Sequence, residues 1–61
     1  MTFTEGQVWQ LQTGYLKIIR LGKSLVEYKL LRKPDQKAVQ SQMARPEVVE
    51  QFLKSAKARL Q

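Results

Sequence analysis

Residues 15–33, YLKIIRLGKSLVEYKLLRK, decide the fold of this chain. Aliphatic side chains alternate with charged and aromatic ones along the stretch, and the segment GKS, residues 22–24, interrupts the alternation. A period of two is typical of a strand with one buried face, and a short break that contains Gly is typical of a hairpin. The stretch therefore predicts two antiparallel strands, about residues 15–21 and 25–32.

Two registers compete for this hairpin. A two-residue turn at Gly22 and Lys23 pairs Ile18 with Glu27, whereas a three-residue loop over residues 22–24 pairs Ile18 with Tyr28. A shift of one residue moves every side chain to the opposite face, so the first register places charged side chains of the second strand among apolar ones. Burying an unpaired charge costs several kcal/mol. We therefore expect the three-residue loop.

The expected register divides the side chains between a core face and an outer face. A further strand over about residues 7–12, joined by a turn at Thr13 and Gly14, places Trp9 opposite Ile18 and Leu11 opposite Leu16. In the second hairpin, Leu16 lies opposite Leu30, Lys17 opposite Lys29 and Arg20 opposite Val26. The predicted core face then carries Trp9, Leu11, Leu16, Ile18, Val26, Tyr28 and Leu30.

The last third of the chain changes period. A weaker strand is predicted over about residues 38–43, where Val39, Ser41 and Met43 share one face and help to cover the core. After Pro46, apolar residues recur at spacings of three and four, which predicts an amphipathic helix over about residues 46–60. Glu50 and Lys54 are placed to form an ion pair on that helix. The apolar stripe of the helix consists of Val49, Phe52, Leu53, Ala56 and Leu60.

Together these segments predict a single small α+β domain over residues 1–61. Its architecture is a curled antiparallel sheet of three to four strands, an SH3-like meander, closed by one carboxy-terminal amphipathic helix. A domain of this size buries only about 60% of the surface that its unfolded chain exposes, so we expect a thin core.

Composition argues against catalysis. The 61 residues include no Cys and no His. The chain therefore has no thiolate or imidazole to act as a nucleophile or base. It also lacks the usual ligands of iron–sulfur clusters and zinc sites. We expect a protein that is not an enzyme and has no cofactor and no metal. The amino terminus has no basic segment followed by an apolar run, and no long apolar stretch follows, so we expect a cytoplasmic protein without a membrane span.

Charge points to an anionic partner. The chain has 11 basic and 5 acidic residues, a formal net charge of +6 and a pI near 10.1. Seven of the basic residues and only two of the acidic ones lie between Lys17 and Lys37. Such clustering favours binding to a polyanion, either nucleic acid (DNA or RNA) or an acidic protein surface.

The outer face of the predicted sheet is both basic and apolar, and it supports two functional hypotheses. The first is nucleic-acid binding, largely through phosphates, by Tyr15, Lys17, Arg20, Lys23, Lys29, Arg32, Lys33 and Lys37. The second is a protein-interaction or homodimerisation surface formed by Ile19, Leu21, Leu25 and Leu31. The alternative to both is that the face has no binding role. In that case the charges are solvated, and the lysine stems cover neighbouring aliphatic residues.

The segment KIIRLGKSL, residues 17–25, is similar to the hairpin of the small basic chromatin proteins of thermoacidophilic archaea. The resemblance covers nine residues and ends before Glu27. It implies a small barrel with a carboxy-terminal helix that binds the DNA minor groove through a sheet face. No individual residue role is carried over from it.

Overall fold

The structure is a computed structural model that describes residues 3–33, 35–36 and 39–61. It is an α+β domain with one helix and a five-stranded antiparallel sheet in the order β4-β3-β2-β1-β5. The elements are β1 (Val8–Gln10), β2 (Tyr15–Leu21), β3 (Val26–Leu31), β4 (Gln42–Ala44), α1 (Pro46–Ser55) and β5 (Arg59–Leu60). The predicted fold class is confirmed, but the SH3-like meander is wrong. The sheet is not closed, and a strand follows the helix, which connects one edge strand to the other.

The first hairpin has the predicted faces but not the predicted register. Trp9 lies opposite Leu16 rather than Ile18, and residues 11–14 form the loop, in which the Leu11 N–H donates to the Gly14 carbonyl oxygen at 2.7 Å. A shift of two residues leaves each side chain on its expected face. Gly14 packs so closely on β3 that a Cβ there would overlap the carbonyl oxygen of Leu31.

The second hairpin follows the predicted register for half of its length. Leu16 pairs with Leu30, Lys17 with Lys29 and Ile18 with Tyr28, as expected. The register then shifts between Ile18 and Arg20, so that Ile19 forms a bulge.

After the bulge, Arg20 pairs with Glu27 and Leu21 pairs with Val26, so the predicted pairing of Arg20 with Val26 is wrong. The three-residue loop is wrong as well. The loop has four residues, 22–25, and the Gly22 N–H donates to the Leu25 carbonyl oxygen at 2.8 Å. The bulge removes the conflict in the predicted register, because it places the Arg20 guanidinium beside a carboxylate instead of beside a buried valine.

The core lies between one face of the sheet and α1. Its buried members are Trp9, Leu16, Ile18, Val26, Val49 and Leu53, and Leu11, Tyr28 and Ala44 are among the half-buried residues packed against them. Leu30 of the predicted core face and Phe52 of the predicted helix stripe are not buried, since they are 38% and 43% exposed. The short helix presents only Val49 and Leu53 fully to the sheet, which leaves Phe52 on its flank.

The helix is shorter than predicted. It begins at Pro46 and contains the expected Glu50–Lys54 ion pair, at 3.5 Å, but it ends at Ser55. Lys57 adopts a positive φ of 53°. The Lys57 N–H donates to the Lys54 carbonyl oxygen and the Ala58 N–H donates to that of Leu53, which is a Schellman motif. This turn ends the helix and directs the chain into β5, so Leu60 is a strand residue, 53% exposed.

The strand before the helix also differs from its prediction. It comprises Gln42–Ala44 rather than residues 38–43, and Ala38 lies outside the described residues. Met43 pairs with Glu27 on the outer face and is 62% exposed, so its predicted place over the core is wrong. Ala44, opposite Val26, packs against the core instead.

Candidate functional site

The outer face of the sheet, opposite α1, is defined by three rows of paired residues. The middle row contains Lys29, Lys17 and Val8 from β3, β2 and β1. One neighbouring row contains Leu31, Tyr15, Gln10 and Arg59, and the other contains Met43, Glu27 and Arg20. Directly paired residues have Cβ atoms about 4.5–5.5 Å apart. The outer face therefore brings residues of all five strands into lateral contact.

Lys17 and Lys29 face each other at the centre of this surface. Both side chains are half-buried, and neither forms an ion pair with any residue that the structure describes. Like charges directly opposite each other on a sheet are unfavourable, by up to about 1 kcal/mol. An anion placed between the two ammonium groups would reverse the sign of this interaction.

Arg20 is partly neutralised by its partner on β3. The Arg20 Nε and the Glu27 Oε1 are 3.9 Å apart, and the side chains are 76% and 23% exposed. An ion pair this exposed contributes about 0–1 kcal/mol, so it does not fix the guanidinium in place. A second carboxylate lies at the same end of β2, where Glu5 Oε2 accepts a hydrogen bond from the Leu21 N–H at 3.1 Å.

The remaining predicted cations lie at both ends of the hairpin. Lys23 is exposed in the four-residue loop next to Arg20. Arg32 and Lys33 are exposed at the other end, directly after the Tyr15–Leu31 pair, and the Arg32 N–H donates to Gln36 Oε1 at 2.8 Å. Lys37 lies outside the described residues. The structure thus brings Tyr15, Lys17 and Lys29 together, with Arg32 and Lys33 beside them and Lys23 apart.

The aliphatic residues of the alternative hypothesis do not form one exposed patch. Leu31 is only 5% exposed, and Ile19 is half-buried at the bulge. Leu21 is paired with Val26 and therefore lies on the helix side of the sheet rather than on the outer face. Leu21 and Leu25 remain 37% and 38% exposed at the end of the hairpin.

Sequence reasoning missed two features beside the outer face. Arg59 pairs with Gln10 and extends the row that begins at Leu31, and an open cleft of about 330 Å³ is lined by Gln10, Leu11, Gln12, Lys57 and Arg59. The helical spacing of apolar residues continues through residue 60, so the local sequence predicts a helix there and gives no indication of β5. The second feature is an open apolar pocket of about 260 Å³ that Tyr15 and Phe52 help to line.

No protein-family model, no curated protein and no solved structure matches this chain. In the part of the chain that the structure describes, no helix is long and apolar enough to cross a membrane. Among the same residues, no three His, Cys, Asp or Glu side chains are grouped closely enough to hold a metal ion. The functional argument therefore depends on the charges and shape of the described surfaces.

Proposed function

We propose that this protein is a non-catalytic nucleic-acid-binding module whose outer sheet face contacts the phosphate backbone. The observation that carries the proposal is the direct opposition of Lys17 and Lys29, half-buried and without ion-pair partners among the described residues. The opposition of two like charges lowers the stability of the free protein. A bound phosphate would turn this unfavourable contact into a favourable one.

A phosphate lying over the lysine pair would be contacted from both strands. The long side chains extend from neighbouring strands, and their apolar stems cover adjacent residues while the ammonium groups reach the ligand. Arg32 and Lys33 continue the positive charge beyond Tyr15, at the end of the hairpin away from Glu5 and Glu27. Arg20, Lys23 and Lys37 are the outlying cations of the proposal. Such contacts position the ligand and carry little sequence information.

An acidic protein surface is the second candidate partner. It is favoured by Leu21 and Leu25, which are exposed by more than a third and flank the basic loop that contains Lys23. Apolar contacts surrounded by charges are typical of protein interfaces. A homodimer through the outer face would bring two positive surfaces together, which makes it the less favourable form of this alternative.

The test is the salt dependence of binding to a labelled DNA duplex. If Lys17, Lys29, Arg32 and Lys33 neutralise about three or four phosphates, the log of the association constant should fall with log salt at a slope of about −3. Replacing Lys17 and Lys29 by Gln should reduce the magnitude of that slope by about 1, since the pair shares one phosphate and each phosphate contact contributes about 0.9.

The matched control is the double variant Arg45→Gln and Lys54→Gln, which removes the same amount of charge. Arg45 precedes the first residue of α1, and Lys54 lies in its last turn. Both side chains are exposed. Equal losses from the two double variants would show that only net charge matters. The absence of salt-dependent binding in the unaltered protein would favour the protein-interaction alternative.

A further inference from the structure

An open cleft lies at the β5 edge of the sheet, between the end of β1, the first loop and the turn that follows α1. It has a volume of about 330 Å³ and is lined by Gln10, Leu11, Gln12, Lys57 and Arg59. This β5 cleft therefore contains two cations and two side-chain amides, and no carboxylate lines it. Ammonium, guanidinium and amide N–H groups are hydrogen-bond donors, and the charged ones bind phosphate most strongly. The lining suits an oxyanion.

The β5 cleft adjoins the outer face of the sheet. Arg59 pairs with Gln10, and Gln10 pairs with Tyr15, so all three side chains lie on the same face as Lys17. Arg59 is two strands across the sheet and two residues along it from Lys17, which corresponds to about 12 Å between their Cα atoms. Arg59 therefore extends the positive charge of the outer face to the edge strand.

The turn after α1 places both cations of the cleft. Lys57 has a positive φ of 53° and occupies the position of the Schellman motif at which Gly is usual. Strained residues of this kind persist where the surrounding structure holds them, and they cluster at binding sites. Because this turn ends the helix, Arg59 becomes a strand residue and pairs with Gln10. The strain at Lys57 thus accompanies the delivery of Arg59 to the outer face.

The amide of Gln10 is oriented without a ligand. Gln61 Nε2 donates a hydrogen bond to Gln10 Oε1 at 2.9 Å, and the Gln61 N–H donates to the Val8 carbonyl oxygen at 2.9 Å. The acceptor of the Gln10 amide is therefore engaged, and its Nε2 is the group that can donate to an anion. Lys57 and Arg59 are exposed, and neither forms an ion pair with any residue that the structure describes.

We propose that Lys57 and Arg59 hold one phosphate of the nucleic-acid backbone at the β5 cleft. The backbone then crosses the outer face from the Lys17–Lys29 pair to β5. This inference rests on the proposed function and deepens it, because it assigns a second phosphate site and the direction in which the ligand lies. Successive phosphates of one strand rise by about 3.4 Å along a duplex. Two sites about 12 Å apart therefore contact different phosphates of the same ligand.

The opposite direction, toward the four-residue loop, is less favourable because it carries negative charge. Glu27 Oε1 lies 3.9 Å from Arg20 Nε, and Glu5 Oε2 accepts a hydrogen bond from the Leu21 N–H. Both carboxylates would repel a phosphate that approached this end of β2. The β5 cleft has no such residue in its lining, so the backbone meets only cations and neutral donors there.

The experiment measures binding to a labelled DNA duplex at several salt concentrations. The double variant Lys57→Gln and Arg59→Gln should lower the magnitude of the log–log salt slope by about 0.9 and the association constant about five- to tenfold at 0.1 M salt. The matched control is the double variant Arg45→Gln and Lys54→Gln, which makes the same change of charge outside the cleft. It should leave the slope unchanged and lower the association constant less than about twofold.

Two single variants separate binding from the structural role of Lys57. A cation at the end of a helix also interacts favourably with the helix dipole. Lys57→Gly and Lys57→Gln should weaken duplex binding equally, by about two- to threefold at 0.1 M salt, because both remove the charge. Only Lys57→Gly should raise the midpoint of urea denaturation, because it also relieves the strained φ. A higher midpoint with unchanged binding would show that Lys57 has only a structural role and refute the proposal.

Each other outcome overturns a defined part of the proposal. Equal losses from the two double variants would show that only net charge matters. An unchanged slope in the cleft variant, while Lys17→Gln with Lys29→Gln still lowers it, would refute the β5 site and leave the proposed function standing. Saturable NMR shifts at the cleft with inorganic phosphate, combined with unchanged duplex binding of the cleft variant, would assign the cleft to a free anion instead. Absence of salt-dependent binding in the unaltered protein would refute the proposed function and this inference together.

Discussion

Lys17 of β2 lies directly opposite Lys29 of β3, on the face of the sheet that α1 does not cover. The pair is central both to the stability of the free protein and to the proposed contact with phosphates. Repulsion between the two ammonium groups opposes folding, whereas a phosphate between them would favour the folded, bound form. The two effects are separable by measurement.

Removing one charge of this pair should stabilise the free protein. Lys29→Gln should raise the free energy of unfolding by a few tenths to about 1 kcal/mol at low salt. The gain should shrink as the Debye length falls from about 30 Å at 0.01 M salt to about 3 Å at 1 M. Urea denaturation at the two salt concentrations measures the effect. Lys54→Gln, which removes the same charge but breaks the ion pair with Glu50, should give no gain.

Glu27 should act as a local competitor for the proposed ligand, because its carboxylate lies beside Arg20. Glu27→Gln should increase the affinity for a nucleic-acid strand about two- to fivefold at low salt, since it removes a negative charge from the outer face. The free energy of unfolding should change by less than about 0.5 kcal/mol, because the Arg20 side chain is 76% exposed and lies 3.9 Å from the carboxylate, at the limit of an ion pair.

The control for Glu27→Gln is Glu47→Gln, which makes the same change of charge in the first turn of α1. An equal rise in affinity from both variants would attribute the effect to net charge. Fluorescence anisotropy of a labelled strand, with both variants at the same salt concentration, decides between the two explanations.

Two adjacent helix residues should differ strongly in their contribution to stability. Leu53 is 1% exposed, so Leu53→Ala should cost about 2–5 kcal/mol and unfold a large fraction of the protein. Phe52 is 43% exposed, and Phe52→Leu should cost less than about 1.5 kcal/mol. Thermal melts followed by circular dichroism measure both losses. A larger loss from Phe52→Leu would contradict the placement of α1 on the sheet.

Lys57 should be replaceable by Gly with a gain in stability. Its φ of 53° is strained for a residue with a Cβ and is the conformation that Gly adopts readily at the end of a helix. Lys57→Gly should therefore raise the free energy of unfolding by about 0.5–1 kcal/mol. Gln51→Gly, in the middle of α1, is the control and should lower it by a similar amount. A loss from Lys57→Gly would show that the Schellman turn does not form.

Gly14 should tolerate no side chain. A Cβ at Gly14 would overlap the Leu31 carbonyl oxygen, so Gly14→Ala should cost about 2 kcal/mol or more by forcing the first loop away from β3. Gly6→Ala is the matched control, because Gly6 has a φ of 85° but no heavy atom near the added Cβ. It should show only the conformational cost of about 1–2 kcal/mol. Denaturant midpoints of the two variants give the comparison.

The alternation of side chains in residues 15–33 was sufficient to predict the β2–β3 pairing from Tyr15 to Ile18, including the opposition of Lys17 and Lys29. It was also sufficient for the buried positions of Leu16, Ile18 and Val26. Periodicity succeeds here because a strand with one buried face repeats every two residues, whatever the rest of the fold does.

Tertiary packing decided the features that local patterns do not encode. The bulge at Ile19, the four-residue loops and the fit of Gly14 against Leu31 depend on contacts between neighbouring strands. The helix α1 ends at Ser55 because Lys57 adopts a strained positive φ. This turn allows residues 59 and 60 to pair with β1.

The candidate site also has one part that the sequence determines and one part that only the fold determines. Its cations are determined by the sequence, since their number and their clustering between residues 17 and 37 are properties of the chain alone. The open pocket that Tyr15 and Phe52 help to line is determined only by the fold, because the two residues are 37 positions apart in the chain. The spacing of Phe52 is that of a core residue, but Val49 and Leu53 fill the interface between α1 and the sheet, and Phe52 remains 43% exposed.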